Sequence, residues 1–417
     1  MVEPVHLPAM RRPRRLPFYA LLVAQAISFA GNALAALALP WFLLQTSGSA
    51  ARVGLVAFCA LLPQPLAATF GGAFVDRLGY RRASVLADLA SGIAVALVPL
   101  LHALGWLNFG LLLALVFAGA MLDAPGATAR AALFPETIAL ARLRPERANT
   151  AHEIVESGAG FAGPILAGAL IAILGPTPVL WGNAASFLLS ATLVIGCVPP
   201  PRASIRADRT ANYRDTLARG FRFVLRDPPI RGIFVIGAPL NFLIAPLFAV
   251  VLPFYFQRGG DNALGLGGTI GAFGGGAVLG AILYGVVGHR WPRRPVFLVG
   301  VFAIGGSFAV VAALPTVPVM IAALFLSGLI SGPNGPMIAT ILQERTPPDL
   351  RGSVFGATTA IGFASGPLGV LLAGASLQAL GTRPTLLGAT ALFLAVALVL
   401  TFDRGLHELD RPQSSPV

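Results

Sequence analysis

Gly72-Ala-Phe-Val-Asp76-Arg77-Leu-Gly79-Tyr-Arg81-Arg82 is the stretch that decides the fold. It joins two long apolar segments through a short loop carrying one acid and three arginines. Glycine at its first position lets two helices approach closely. The charges then lie at a membrane surface, where they can lock or release neighbouring helix ends. A lone G-x-x-x-D-R says little. Eleven residues in this order, between two candidate spans, are a specific signal.

Composition supports that reading. Of 417 residues, 56% are hydrophobic and 11% charged, with a mean hydropathy of +0.79. A soluble domain carries roughly 25% charged residues, so this is a polytopic membrane protein. All 29 basic residues are arginine. Without lysine there is no P-loop G-x-x-x-x-G-K-[ST] to cradle ATP and no Schiff-base chemistry. Work against a gradient must therefore draw on another gradient or on a partner. Arginine for lysine, with abundant Ala, Gly and Pro, is the usage of a GC-rich bacterial genome, so a bacterial cytoplasmic membrane is expected.

A spanning helix needs about 20 mostly apolar residues. Twelve segments qualify, near 17–45, 53–75, 83–104, 107–131, 153–175, 178–198, 230–256, 264–288, 295–314, 316–340, 353–380 and 384–402. With a cytoplasmic N-terminus, 26 arginines fall on the inner side and only Arg52, Arg258 and Arg383 outside. That asymmetry is the positive-inside rule, and it places both termini in the cytoplasm. It also explains the net charge of +12 without nucleic acid, for which no soluble domain is long enough. Cys59 and Cys197 make no disulfide framework, and no H-x-x-x-H spacing offers a metal site. No cofactor is expected. No H-E-x-x-H or Ser/His pair lies at depth, which argues against an enzyme.

The longest polar stretch, Pro199 to Arg231, holds eight arginines. Within it Tyr213, Leu217, Phe221 and Val224/Leu225 recur at helical spacing, as in a helix lying on an anionic leaflet. Three parts follow: a six-helix bundle over 1–198, a cytoplasmic linker with an amphipathic helix over 199–229, and a second six-helix bundle with a short tail over 230–417. The halves repeat each other. Arg144–Arg147 aligns with Pro347–Leu350, and Gly163-Pro164 with Gly366-Pro367, at an offset of 203 residues. Leu174-Gly175 and Leu380-Gly381 match at 206, and the first loop reappears as Gly285–Arg294 at 213, with His289 in place of the acid. A parallel duplication of a six-helix unit is a transporter architecture with its site between the halves near the midplane.

The Gly72–Arg82 loop resembles the loop between the second and third helices of the major facilitator superfamily. With Gly31-Asn32, Thr46–Ser49, Pro63, Ala87-Asp88, Asp123-x-Pro125-x-x-x-x-Arg130 and Leu133–Glu136, it is similar to the drug-exporter branch, the macrolide and siderophore exporters above all. The resemblance covers roughly residues 16 to 402. It implies an all-α membrane protein of the major facilitator fold, twelve transmembrane helices in two six-helix bundles. The activity it implies is export of small, often amphipathic compounds by proton antiport and alternating access.

Three features depart from the pattern. The usual mid-helix arginine of the fourth span is missing, Arg130 lying at that span's end. The glycine ladder of the fifth span reads Gly158-x-Gly160-x-x-Gly163-Pro164-Ile-Leu-Ala167-Gly168, with one glycine out of register and one replaced. The second loop has lost its acid.

Ionisable groups inside lipid are costly and point to function. Asp123 is expected about 24 Å along the fourth span, level with Glu153 and Glu156 at the start of the fifth. Clustered, desolvated carboxylates exchange protons near neutral pH. The competing reading is that the two glutamates complement a helix dipole and pair with Arg130 or Arg147. Asp88 is a further proton site or a surface ion pair. Gly163-Pro164 and Gly366-Pro367 are candidate helix hinges. Asn32, Gln64, Asn241 and Phe242, with Phe248, Phe254 and Tyr255, are candidate substrate contacts. Gly72, Asp76, Arg77, Gly79, Arg81 and Arg82 form the expected gate, in which Asp76 accepts hydrogen bonds at the N-terminus of the eleventh span near Ser353. The expected partners are a small-molecule substrate, protons and the bilayer, with the chain acting as a monomer. An importer or uniporter of the same fold, or a non-transporting membrane sensor, is the alternative.

Overall fold

The computed structural model describes residues 14–64, 78–199, 213–260, 262–347 and 350–410. Among them it is all helical. We number the helices α1 (Leu16–Ser47), α2 (Ala50–Leu61), α3 (Tyr80–Ala103), α4 (Phe109–Ala141), α5 (Pro145–Leu174), α6 (Pro176–Cys197), α7 (Tyr213–Arg226), α8 (Pro228–Arg258), α9 (Ala263–Val287), α10 (Arg293–Ala312), α11 (Val317–Arg345), α12 (Arg351–Leu380) and α13 (Thr382–Phe402). Eleven are long and apolar enough to cross a membrane, and α2 is a shorter apolar helix. The later part of the second predicted span, with Gly72, Asp76 and Arg77, lies outside the described residues. Local chemistry sets several helix starts: Ser49, Asn108 and Asn262 each accept from a backbone N–H of the first turn of α2, α4 and α9.

Two boundaries differ from expectation. Helix α4 runs on to Ala141 through Pro125 and Pro135, and α5 begins at Pro145, a good first-turn residue. The turn between them therefore lies beyond the apolar segments from which the spans were drawn. Proline also fails to interrupt α5 at Pro164 or α12 at Pro367, since both helices are continuous. Irregularity falls elsewhere. Helix α8 contains two π segments, Gly232–Ile236 and Leu247–Val251, and α11 breaks at Gly332-Pro333.

The internal repeat is visible atom by atom. Gly175 and Gly381 form the α5–α6 and α12–α13 junctions with φ of 81° and 83°. Arg81 donates to the Ile195 carbonyl at the C-terminal end of α6. Arg294, 213 residues on, donates at 2.7 Å to the carbonyl of Thr401, 206 residues after Ile195. Both arginines satisfy carbonyls that a helix end leaves unpaired.

The same offsets relate two crossings between the halves. A Cβ on Gly54 of α2 would lie 3.0 Å from Gly374 Cα of α12, and one on Gly168 of α5 would lie 2.9 Å from Gly267 Cα of α9. Without a hydrophobic drive inside lipid, helices associate by such close van der Waals contact. Both crossings lie toward the end of the bundle that carries few arginines. Helix α7 packs at the other end, with Val224 fully buried and Gly220 against the Ser353 carbonyl. Its apolar face thus goes to α12 and α11 rather than to a leaflet alone.

Gly267→Val should push the arginine-poor end apart, because its Cβ would meet the Pro164 carbonyl at 2.3 Å. Overpacking of this kind costs about 1–3 kcal/mol. In a protein whose Cys59 and Cys197 are serine, a cysteine at the buried Ala167 should then label faster with a thiol reagent. Labelling at the parental rate would mean that this crossing does not hold the halves together.

Candidate functional site

The site is built on the first six helices. Gly119 and Gly126 of α4 face Ala94 and Ala87 of α3; a Cβ at Gly126 would stand 2.7 Å from that of Ala87. This approach brings Asp88 against Arg130. The Arg130 guanidinium donates through Nη1 to Asp88 Oδ1, and Ser190 of α6 donates to Asp88 Oδ2 at 2.7 Å. Through Nη2, Arg130 donates to Ser28 Oγ at 3.3 Å and stands 3.6 Å from Asp123 Oδ1. Asn32 Nδ2 of α1 donates to Asp123 Oδ2 at 2.9 Å. Asp88 and Arg130 are 0% and 1% exposed, whereas Asp123 keeps 23%.

Arg130 is thus an interior residue of a helix longer than expected, and the fourth span does carry a buried arginine. Asp88 makes an ion pair, but a buried one. The three-acid cluster does not form. Asp123 lies about 27 Å from the Ala141 end of α4, Glu156 about 16 Å from the Pro145 start of α5. Measured from the turn between these helices, the acids stand at different depths. Glu153 is exposed, and Glu156, 57% exposed, pairs with His152 at 3.7 Å.

Beside the network opens a cavity of about 690 Å³. Asn32, Gln64, Asp123, Thr128 and Asn183 give it polar points, Phe29 and Phe187 aromatic walls, and Thr359 comes from α12. This volume is within the range of small-molecule sites, about 300–1,000 Å³. Asn32 and Gln64 line this cavity, and Asn241 and Phe242 do not. Asn241 donates to the Gly362 carbonyl and ties α8 to α12, while Phe242 lines a separate apolar cavity of about 220 Å³ in the second half. Phe248 stacks near Phe273, Phe254 is buried, and the Tyr255 hydroxyl donates to the Pro315 carbonyl at 3.1 Å, so these aromatics serve packing.

Of the expected hinges, Gly163 lets α5 meet α1 at Ala33, and Gly366 has only an ordinary contact with Ala245. Of the expected gate, Gly79 precedes α3 with φ 79°, Arg81 caps α6 and Arg82 is exposed. No group of three or more His, Cys, Asp or Glu that could hold a metal occurs among the described residues.

The Major Facilitator Superfamily profile matches residues 21–370 and 259–416. The chain belongs to the Major Facilitator Superfamily. Within the superfamily it is 34% identical to the multidrug efflux pump Tap of Mycobacterium tuberculosis (strain ATCC 25618 / H37Rv), over 96% of each chain. The macrolide efflux protein A of Streptococcus pyogenes is more distant, at 20% over 95% of this chain and 98% of its own length. The solved nucleoside transporter NupG superposes with a TM-score of 0.76 at 12% identity, covering 92% of this chain and 98% of its own, a likeness of fold. As in other superfamily members, the chain is a multi-pass membrane transporter for small molecules and not an enzyme.

Residues missed from sequence include Ser28, Ser190, Asn183 and Thr359. Only Ser28 carried a signal: Gln25, Ser28 and Asn32 form one polar stripe on an otherwise apolar helix.

Removing one partner of a buried ion pair costs about 3–5 kcal/mol, because the other charge stays behind. Arg130→Met should lower stability by that order, and Asp88→Asn on top should recover at least half of the loss. Thermal unfolding in detergent reads both. A double variant as unstable as the single would show that neutralising Asp88 is not what Arg130 does.

Proposed function

We propose that this transporter is a secondary active exporter of small, amphipathic organic compounds, working as a monomer by proton antiport and alternating access. The observation that carries the reading is the charge balance beside the cavity. Two carboxylates, Asp88 and Asp123, share one guanidinium, and Asp123 Oδ1 is a buried atom with no hydrogen-bond donor. With both acids ionised the cluster holds one uncompensated negative charge. Inside a membrane that charge is costly, so a proton or a cationic group on the cargo neutralises it, and each displaces the other. The mixed apolar and amide walls suit amphipathic cargo, and the relatives named as efflux pumps support export.

In the same reading the 26 arginines face the cytoplasm, with residues 1–16, 199–229 and 403–417 on that side. The two glycine crossings then close the outer end, and the cavity belongs to an inward-facing state. The Gly72–Arg82 loop is the inner latch, in which Arg81 already holds α6 and Asp76 would reach a neighbouring helix N-terminus.

Two experiments test this. Vesicles holding the parent or Asp123→Asn would be loaded with ethidium, an amphipathic cation, with and without an imposed pH gradient. The parent should export it only with the gradient, and the variant should fall to the gradient-free level. Parental export by the variant would remove Asp123 from coupling, and no export by the parent would sink the cationic-cargo reading. For orientation, cysteines replacing Arg206 and Arg411 should resist impermeant thiol reagents in intact cells, and one replacing Asn262 should label. Labelling at position 206 would reverse the assignment.

A further inference from the structure

Apart from the Asp88–Arg130–Asp123 network, a histidine joins two helices of the first half through a polar contact. His152 of α5 has its Nε2 3.1 Å from Gln25 Nε2 of α1 and its Nδ1 3.7 Å from Glu156 Oε2. The Phe29 and Phe134 rings stand 6.2 and 5.0 Å from the imidazole centroid. Gln25 is buried, and its Oε1 has no hydrogen-bond partner.

This geometry suits one form of the neutral ring. With the amide nitrogen toward the ring, His152 Nε2 accepts and a neutral ring carries its proton on Nδ1, toward Glu156. A second proton would turn Nε2 into a donor facing a donor. Rotating the Gln25 amide by half a turn then brings the unused Oε1 to Nε2. One side chain thus serves both charge states of the ring. An imidazole can hold either charge state, and the largely exposed Glu156 gives this one contact with solvent.

The charges on the surrounding helices are these. Glu146, Arg147, Glu153 and Glu156 share its helix. Helix α1 has no ionisable group after Tyr19, α6 only Cys197 and α9 only Tyr284. Helix α4 presents Phe134, one turn from Arg130 and two residues before Glu136.

We propose that His152 is a second proton-binding group of this transporter, and that Gln25 passes its charge state to the acid network along one face of α1. Gln25, Ser28 and Asn32 lie at i, i+3 and i+7 on that face. Ser28 accepts from Arg130 and Asn32 donates to Asp123. Protonation converts the Gln25–His152 contact into a charge-assisted bond, roughly twice as strong as a neutral one. That bond clamps α1 to α5 and fixes where Asn32 meets Asp123. His152 is a positioning residue, and its effect on transport rests on the proton-driven reading above.

The full chain in lipid nanodiscs, with labelled histidine and asparagine side chains, would be titrated by NMR between about pH 5 and 8. His152→Gln and Asn32→Ser identify the two signals. The Asn32 amide should follow the His152 titration in the parent and cease to follow it in Gln25→Leu, where His152 still titrates. In vesicles, gradient-driven ethidium export by the parent should show an inflection with pH that His152→Gln loses. An Asn32 signal that tracks His152 as well in Gln25→Leu would overturn the link, and an inflection retained by His152→Gln would overturn its role in transport. If the parent's export ignores the gradient, the export reading falls instead, and the amide titration still decides the link.

Discussion

Burying an arginine inside a membrane protein sets the terms for everything around it. Arg130 carries its charge at any relevant pH, so the fold must bring acids to it. Asp88 does this at full burial and Asp123 at partial burial, with Ser28, Ser190 and Asn32 adding hydrogen bonds to the cluster. That requirement reaches into the packing. Helices α3 and α4 must touch closely enough for Asp88 to meet the guanidinium, which Gly126 permits. Removing the side chain there is what makes the ion pair possible.

The fold was legible because it is written in bulk properties. Hydropathy marks the spans, and arginine placement marks the sides. Offsets of 203, 206 and 213 residues mark the duplication. These survive any error of a few residues. The boundaries of α4 and α5 were not legible, since the spans at 107–131 and 153–175 follow apolar content, yet the helices extend past it to Ala141 and back to Pro145.

The site was half legible. Asn32, Gln64 and Asp123 stand out as polar residues in apolar helices, and each lines the cavity. Which acid Arg130 would choose depended on where α4 ends and on a glycine facing an alanine. No one-dimensional pattern contains that. Aromatic residues of α8 misled for a different reason: a stripe of rings serves helix packing as readily as cargo.

The arginine contacts at the ends of α6 and α13 bear on how the protein is made. Arg81 and Arg294 each reach carbonyls near the end of the last helix of their own half. Neither contact can form until that helix has been inserted, and neither draws on the other half. Each half is therefore sealed by its own last helix to leave the ribosome. The first half can close on itself before the second is made, and the membrane then receives two parts to dock in place of single helices to sort.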